Sequence, residues 1–276
     1  MKCAWESLLQ VIPQWMRPVV DKLGKEKMQE LRLRLGKPPE LLLGNESIWL
    51  NQLCQMDDLN YVINTASRYS PWASESIRDG YLTAAGGHRI GICGKAVVHD
   101  GGISGIRQPE SLCIRVARDF PGVADALTDF NGSILIIGPP GSGKTTLLRD
   151  LIRQLSQKET VAVVDERSEL FPSGAFEAGK RLDVLTGCPK REGILMVLRT
   201  MGPTTIGVDE ITAQEDCEAL THAGWCGVRL LATVHGGNLQ DLKQKSLYKP
   251  LWEAQLFDHY IVLDRNKRIH EERMTP

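Results

Sequence analysis

Eight residues constrain this chain more than any others: Gly138-Pro139-Pro140-Gly141-Ser142-Gly143-Lys144-Thr145 satisfies the pattern G-x-x-x-x-G-K-[ST] at every fixed position. The pattern makes a demand on its neighbours. Its backbone N–H groups can surround a phosphate only if a strand holds one end of the loop and a helix starts at the other. Both flanks are present. Ser133 to Ile137 reads as a short apolar strand, and Thr146 to Gln154 reads as a helix with Leu147, Leu148, Leu151, Ile152 and then Leu155 on one face. The glycines permit positive φ and a close approach of the backbone to phosphate oxygens. Lys144 supplies a point charge for the β- and γ-phosphates, and the Thr145 hydroxyl is a hard oxygen ligand for Mg²⁺. Gly138, Pro139, Pro140, Gly141, Ser142, Gly143, Lys144, Thr145 and Thr146 are therefore the candidate ATP-binding residues. Lys144 is also a candidate catalytic residue, and Thr145 a candidate metal ligand.

Downstream of the loop, apolar strands alternate with helices: strands at Thr160–Val164, Ile206–Val208, Val228–Val234 and Phe257–Leu263, helices at Gly193–Met201 and Ala213–Ala223. That alternation implies an α/β domain with a parallel sheet. Upstream, the pattern differs. An apolar helix is broken near Pro13, two strands flank the turn Gly36-Lys37-Pro38-Pro39, and a helix begins at Asp57 or Asp58. Between Tyr81 and Val116, HRIGICGKAVV, GGISGI and SLCIRVAR read as short strands separated by glycines. The segment Arg118 to Gly132 is polar and turn-rich. These changes predict a smaller α+β domain over residues 1–120 and a nucleotide-binding α/β domain over residues 121–276.

Two segments have the form of an apolar strand followed by Asp-Glu: VAVVDE, ending at Asp165-Glu166, and TTIGVDE, ending at Asp209-Glu210. A carboxylate at a strand's carboxyl end can hold a Mg²⁺ water shell, and its neighbour can orient an attacking water. Hydrophobicity favours the first strand, and spacing does not choose between them. His235 ends the strand LLATVH, where a polar side chain can sense a γ-phosphate, with Thr233 beside it.

Bulk properties exclude several classes. The formal net charge is −1 and aromatic residues are 6% of the chain, which argues against a nucleic-acid-dependent ATPase with a basic, aromatic-studded groove. Seven cysteines without a C-x-x-C pair read as reduced thiols rather than zinc ligands. The opening MKCAWESLLQVIPQW contains Glu6, Gln10 and Pro13 and does not read as a signal peptide. No apolar run reaches the roughly 20 residues of a membrane span, so the expected location is cytoplasmic.

Taken in order, GPPGSGKTTLLRD, VVDERSEL, DVLTGCPKREGILMVLRTMGP, VDEI and TVHGGN resemble the stage III sporulation protein AA family of endospore-forming bacteria, relatives of the hexameric ATPases of type II and type IV secretion. The resemblance is specific across Gly132 to Asn238 and fainter over Gly80 to Arg118. It implies a RecA-like fold and a homo-hexamer. It also implies partnership with membrane proteins of the stage III sporulation complex, at the inner face of the mother-cell membrane. The metal strand falls on Asp209-Glu210, with Asp209 as metal ligand and Glu210 catalytic. Asp165, Glu166 and Glu169 become an acidic box from which Glu169 can polarise water, and His235 becomes the histidine-box residue. Arginines from the first domain or a neighbouring subunit complete such sites, which makes Arg89, Arg107, Arg115 and Arg118 eligible. Two features depart from the relatives: Thr212 stands where glycine is expected, and the tetracysteine zinc insertion of many type II ATPases is absent.

Overall fold

Alternation of period two governs the first half of the chain. Leu31, Leu33 and Leu41 are fully buried while Arg32 is exposed, so the sheet has one dry face and one wet face. The computed structural model describes residues 1–44, 46–67, 80–99, 102–172 and 175–272. Its first sheet is antiparallel and contains β1 (Glu30–Arg34), β2 (Glu40–Leu43), β3 (Glu46–Trp49), β4 (Tyr81–Thr83), β5 (Arg89–His99) and β6 (Gly102–Arg115), in the order β3-β2-β1-β6-β5-β4. Helices α1 (Trp5–Val11), α2 (Arg17–Leu23) and α3 (Met56–Ala66) contribute Leu8, Val20, Leu59 and Val62 to one core with Leu31, Ile90 and Ile114.

The second half is apolar on both strand faces, which only helices on both sides can cover. Strands β7 (Ile134–Gly138), β8 (Val161–Asp165) and β10 (Thr205–Val208) are buried at every residue. With β9 (Leu182–Thr186), β11 (Arg229–His235), β12 (His259–Leu263) and β13 (Ile269–Glu272) they form a sheet ordered β13-β12-β7-β11-β10-β8-β9. Every neighbouring pair is parallel except β12–β13. Helix α4 (Lys144–Leu155) lays Leu147, Leu148, Leu151 and Ile152 into a core with Ile134, Ile136, Val163 and Leu231. On the opposite face α5 (Lys190–Thr200) and α6 (Gln214–Trp225) bring Ile194, Val197, Leu220 and Ala223 against Leu135, Val164, Ile206 and Ala232. Register sets His235 beside Gly138, and Val208 beside both Val164 and Ala232, so four carboxyl ends lie side by side.

The chain forms two compact units, one of Met1–Asp119 with Pro172–Phe176, the other of Phe120–Phe171 with Glu177–Pro276. Several elements differ from the sequence reading. Apart from β4, the short strands expected between Tyr81 and Val116 are one long hairpin, β5 with β6: Gly91 pairs in register with Cys113, Gly94 falls at a register shift between Cys93 and Lys95, and Gly105 pairs with Val97 beside another, so these glycines lie within the strands rather than at their ends. Gly101, the first residue of the expected GGISGI strand, lies outside the described residues. Helix α3 is preceded by Gln55, whose N–H donates to Asp58 at 2.8 Å, so Asp58 caps from inside the first turn. Strand β12 is followed by β13, a polar edge strand (Ile-His-Glu-Glu) whose composition does not announce it.

Candidate nucleotide site

The phosphate loop spans the gap between β7 and α4. Gly143 precedes the helix at φ +100°, where a side chain would be strained, and Gly138 is pinned by its surroundings. A Cβ at Gly138 would lie 2.6 Å from Ser142 Oγ and 2.8 Å from the Leu263 carbonyl oxygen. The Ser142 hydroxyl is buried and has no hydrogen-bond partner among the described residues. A glycine-lined cradle with a buried hydroxyl at a helix start can accept an anion. Thr146 sits half-buried in the first turn of α4.

Lys144 is 5% exposed, and its Nζ donates to the Pro139 carbonyl at 2.9 Å and to His235 Nδ1 at 3.1 Å. Burial lowers its pKa, with Asp209 and Glu210 pulling it back up. The second ring nitrogen of His235, Nε2, lies 3.0 Å from Glu210 Oε1. An imidazole protonated at Nε2 satisfies both contacts: it accepts from the lysine and donates to the carboxylate. Lys144, His235 and Glu210 are thus connected in series. Glu210 Oε2 also meets Arg167 at 3.3 Å.

The two Asp-Glu pairs have different surroundings. The Asp209 carboxylate accepts the Thr145 hydroxyl at 2.7 Å on one oxygen and the Thr233 hydroxyl at 2.6 Å on the other. The Asp165 carboxylate is turned into its own loop, accepting the N–H groups of Glu169 at 2.8 Å and of Leu170 and Phe171 at 2.9 Å each. Burial pushes its pKa up to about 6 against the downward pull of the Phe171 and Leu170 bonds, and the Asp209 charge adds to the rise. Glu166 pairs with the buried Lys190. Glu169 shares the wall of a small cavity of about 20 Å³ with Asp165, Asp209, Glu210, Arg167 and Lys190. That volume holds about one water molecule.

Lys144, Thr145, Asp209, Glu210 and His235 therefore meet in one hydrogen-bonded group, and Glu169 adjoins it across the cavity. Sequence reading missed two contributors, Arg167 and Lys190, and named Thr233 only as the neighbour of His235. Thr233 carries a period-two signal, since residues two apart on a strand share a face and His235 was already a candidate. Arg167 and Lys190 reach their carboxylates from 43 and 24 residues away, which no local pattern reveals. The four eligible arginines all belong to the first unit. There Arg118 donates to the carbonyls of Lys25 and Met28, Arg115 meets Glu30, Arg89 lies over the Tyr81 ring, and Arg107 is exposed.

Among the described residues no group of three or more His, Cys, Asp and Glu side chains is arranged to hold a metal ion. Thr145 Oγ1 and Asp209 Oδ2 are the donor set that fits Mg²⁺, which takes few protein ligands and keeps water and phosphate oxygens. Among the described residues no helix is long and apolar enough to cross a membrane.

The family described as sporulation stage III, protein AA matches residues 4–273. The chain belongs to that family. It is 36% identical over 282 aligned residues to the stage III sporulation protein AA of Bacillus subtilis (strain 168), an alignment covering 95% of this chain and 91% of that one. Among solved structures, the ATPase DotB of Legionella pneumophila superposes with a TM-score of 0.61 at 18% identity, over 94% of this chain and 79% of DotB. The pilus retraction motor PilT, solved with bound ADP, gives a TM-score of 0.62 at 15% identity, over 90% of this chain and 76% of PilT. At such identities the likeness speaks for the fold: a RecA-like P-loop domain with a parallel sheet, preceded by a smaller α+β domain.

Proposed function

We propose that this family member is a Mg²⁺-dependent ATP hydrolase of the secretion-ATPase type, which powers or assembles a sporulation complex spanning the envelope between mother cell and forespore. The observation that carries the reading is the 2.7 Å contact between Thr145, the last residue of the phosphate loop, and Asp209. It joins the two groups that a Mg–nucleotide site must bring together, and Lys144 stands one residue away. The loop N–H groups and Lys144 bind the β- and γ-phosphates. Thr145 and Asp209 would hold a Mg²⁺ ion, whose charge would offset that of the phosphates. Glu210 orients water and takes its proton, and His235, bonded to both Lys144 and Glu210, ties the lysine that reads the γ-phosphate to the base. Glu169, which lines the same cavity, is the further carboxylate we assign to polarising water.

The assembly we infer is a homo-hexamer with its ATP sites at the boundaries between subunits. It would act on membrane proteins of the stage III sporulation complex from the cytoplasmic side of the mother-cell membrane. Family membership supports this part of the reading. The test of the enzymatic reading is turnover of Mg–ATP by the purified chain and by Lys144→Ala. The wild type hydrolyses ATP and the variant, still folded, does not, because the charge on the β/γ-phosphates is gone. Equal turnover in the two proteins would end the reading.

A further inference from the structure

The end of β10 poses a geometric problem. In a continuing strand, consecutive side chains point to opposite faces, so Asp209 and Glu210 could not line one site. Yet both line the same small cavity. The alternation is broken at Glu210, a non-glycine residue at φ +55°, in the left-handed region that L side chains rarely adopt. Such a conformation persists only where the surroundings enforce it.

The enforcing group is Thr233, fully buried on β11, the middle strand of the seven. Its hydroxyl is used twice: it accepts the Glu210 N–H at 2.8 Å and donates to Asp209 Oδ1 at 2.6 Å. The directions are not interchangeable, since a backbone N–H can only donate and an ionised carboxylate can only accept. The Thr233 carbonyl takes a third bond, from the Ile211 N–H at 2.9 Å. Residues 209, 210 and 211 are thus each tied to residue 233 just where the β10–β11 ladder, whose last pair is Val208 with Ala232, ends.

We propose that Thr233 is a positioning residue: its hydroxyl sets the turn that brings both carboxylates to one side, leaving the second Asp209 oxygen for Thr145 and aiming Glu210 at His235. This assignment rests on the reading of the site as a Mg–ATP site. It differs from a packing role, because a methyl group would fill the same space and hold neither carboxylate.

The experiment compares Thr233→Val, which keeps shape and β-branching, with Thr233→Ser, which keeps the hydroxyl. In the full chain, Thr233→Val lowers turnover by about 10- to 100-fold, the range seen when an outer-shell partner of a metal ligand is removed. It also raises the Mg²⁺ concentration needed for half-maximal ATP binding by about 10-fold, while ATP affinity in EDTA stays near wild type. Amide exchange at Glu210 in metal-free protein accelerates in the valine variant alone. Thr233→Ser restores all three. If the valine side chain is not tolerated, Thr233→Ala supplies the same contrast. A valine variant with wild-type Mg²⁺ response and Glu210 exchange would overturn the proposal, as would equal defects in the valine and serine variants. If the wild type itself failed to hydrolyse ATP, the underlying reading and this assignment would both fall. An active wild type matched by Thr233→Val would remove only the assignment.

Discussion

Replacing Asp165 by asparagine separates a structural carboxylate from a metal-binding one, and the effect can be sized. The side chain is 2% exposed and accepts three backbone N–H groups from its own loop. Burial holds its pKa at about 6, against an ordinary value of 3.8. An acid whose folded pKa is raised binds its proton more tightly in the native state. Native stability is therefore lost as pH rises from the unfolded to the folded pKa, and is level above and below that window. At 1.36 kcal/mol per pH unit the whole loss is about 3 kcal/mol, of which about 2 kcal/mol falls between pH 4 and pH 7. Asparagine does not titrate. The stability of Asp165→Asn relative to wild type should therefore rise by about 2 kcal/mol from pH 4 to pH 7, whatever its absolute cost from rearranging the loop hydrogen bonds. The assay is urea unfolding of both proteins in EDTA at half-unit steps of pH, taking the difference so that other carboxylates cancel. A difference that is constant with pH would refute the reasoning. One that changes in the opposite sense would mean that the N–H groups overcome burial and hold the carboxylate ionised.

Two further outcomes follow from the site. Glu210→Gln keeps the size of the side chain but not its basicity, so the variant should bind Mg–ATP at close to wild-type affinity while its single-turnover rate falls by roughly 10²-fold or more; a wild-type rate would assign the base elsewhere. Gly138→Ala drives a methyl group into Ser142 Oγ and the Leu263 carbonyl, and should cost about 1–3 kcal/mol of stability in denaturant unfolding, together with a loss of ATP affinity. Unchanged stability would mean that the loop yields freely.

The loop and its flanks were legible because motif, strand and helix each left an independent mark: a fixed spacing, an apolar run and a 3.6-residue stripe. The order of acidic strands was not. VAVVDE is the more hydrophobic segment, yet strand hydrophobicity reports burial of the strand, not the direction of the carboxylate that follows. On β8 that carboxylate turns back to cap its own loop, and on β10 it reaches Thr145, after which Glu210 turns at a positive φ and lines the same cavity. Nothing in the composition of Val-Asp-Glu-Ile announces that turn, whose cause lies 23 residues away at Thr233. The long β5–β6 hairpin was read as fragments for a similar reason. Glycine marks a strand end and a register shift alike, and only cross-strand pairing distinguishes them. Edge strands β9 and β13, with no fully buried residue, lack the burial that makes a strand visible in sequence.

The measurement that bears most directly on the account is the Mg²⁺ dependence of ATP binding, determined side by side for wild type, Asp209→Asn and Asp165→Asn. If the metal shell is held by Thr145 and Asp209, Asp209→Asn should need about 10-fold or more additional Mg²⁺ to reach half-maximal binding, with little change in EDTA. Asp165→Asn, whose carboxylate serves its own loop, should follow the wild-type curve. A metal defect in Asp165→Asn alongside a wild-type response in Asp209→Asn would contradict the account.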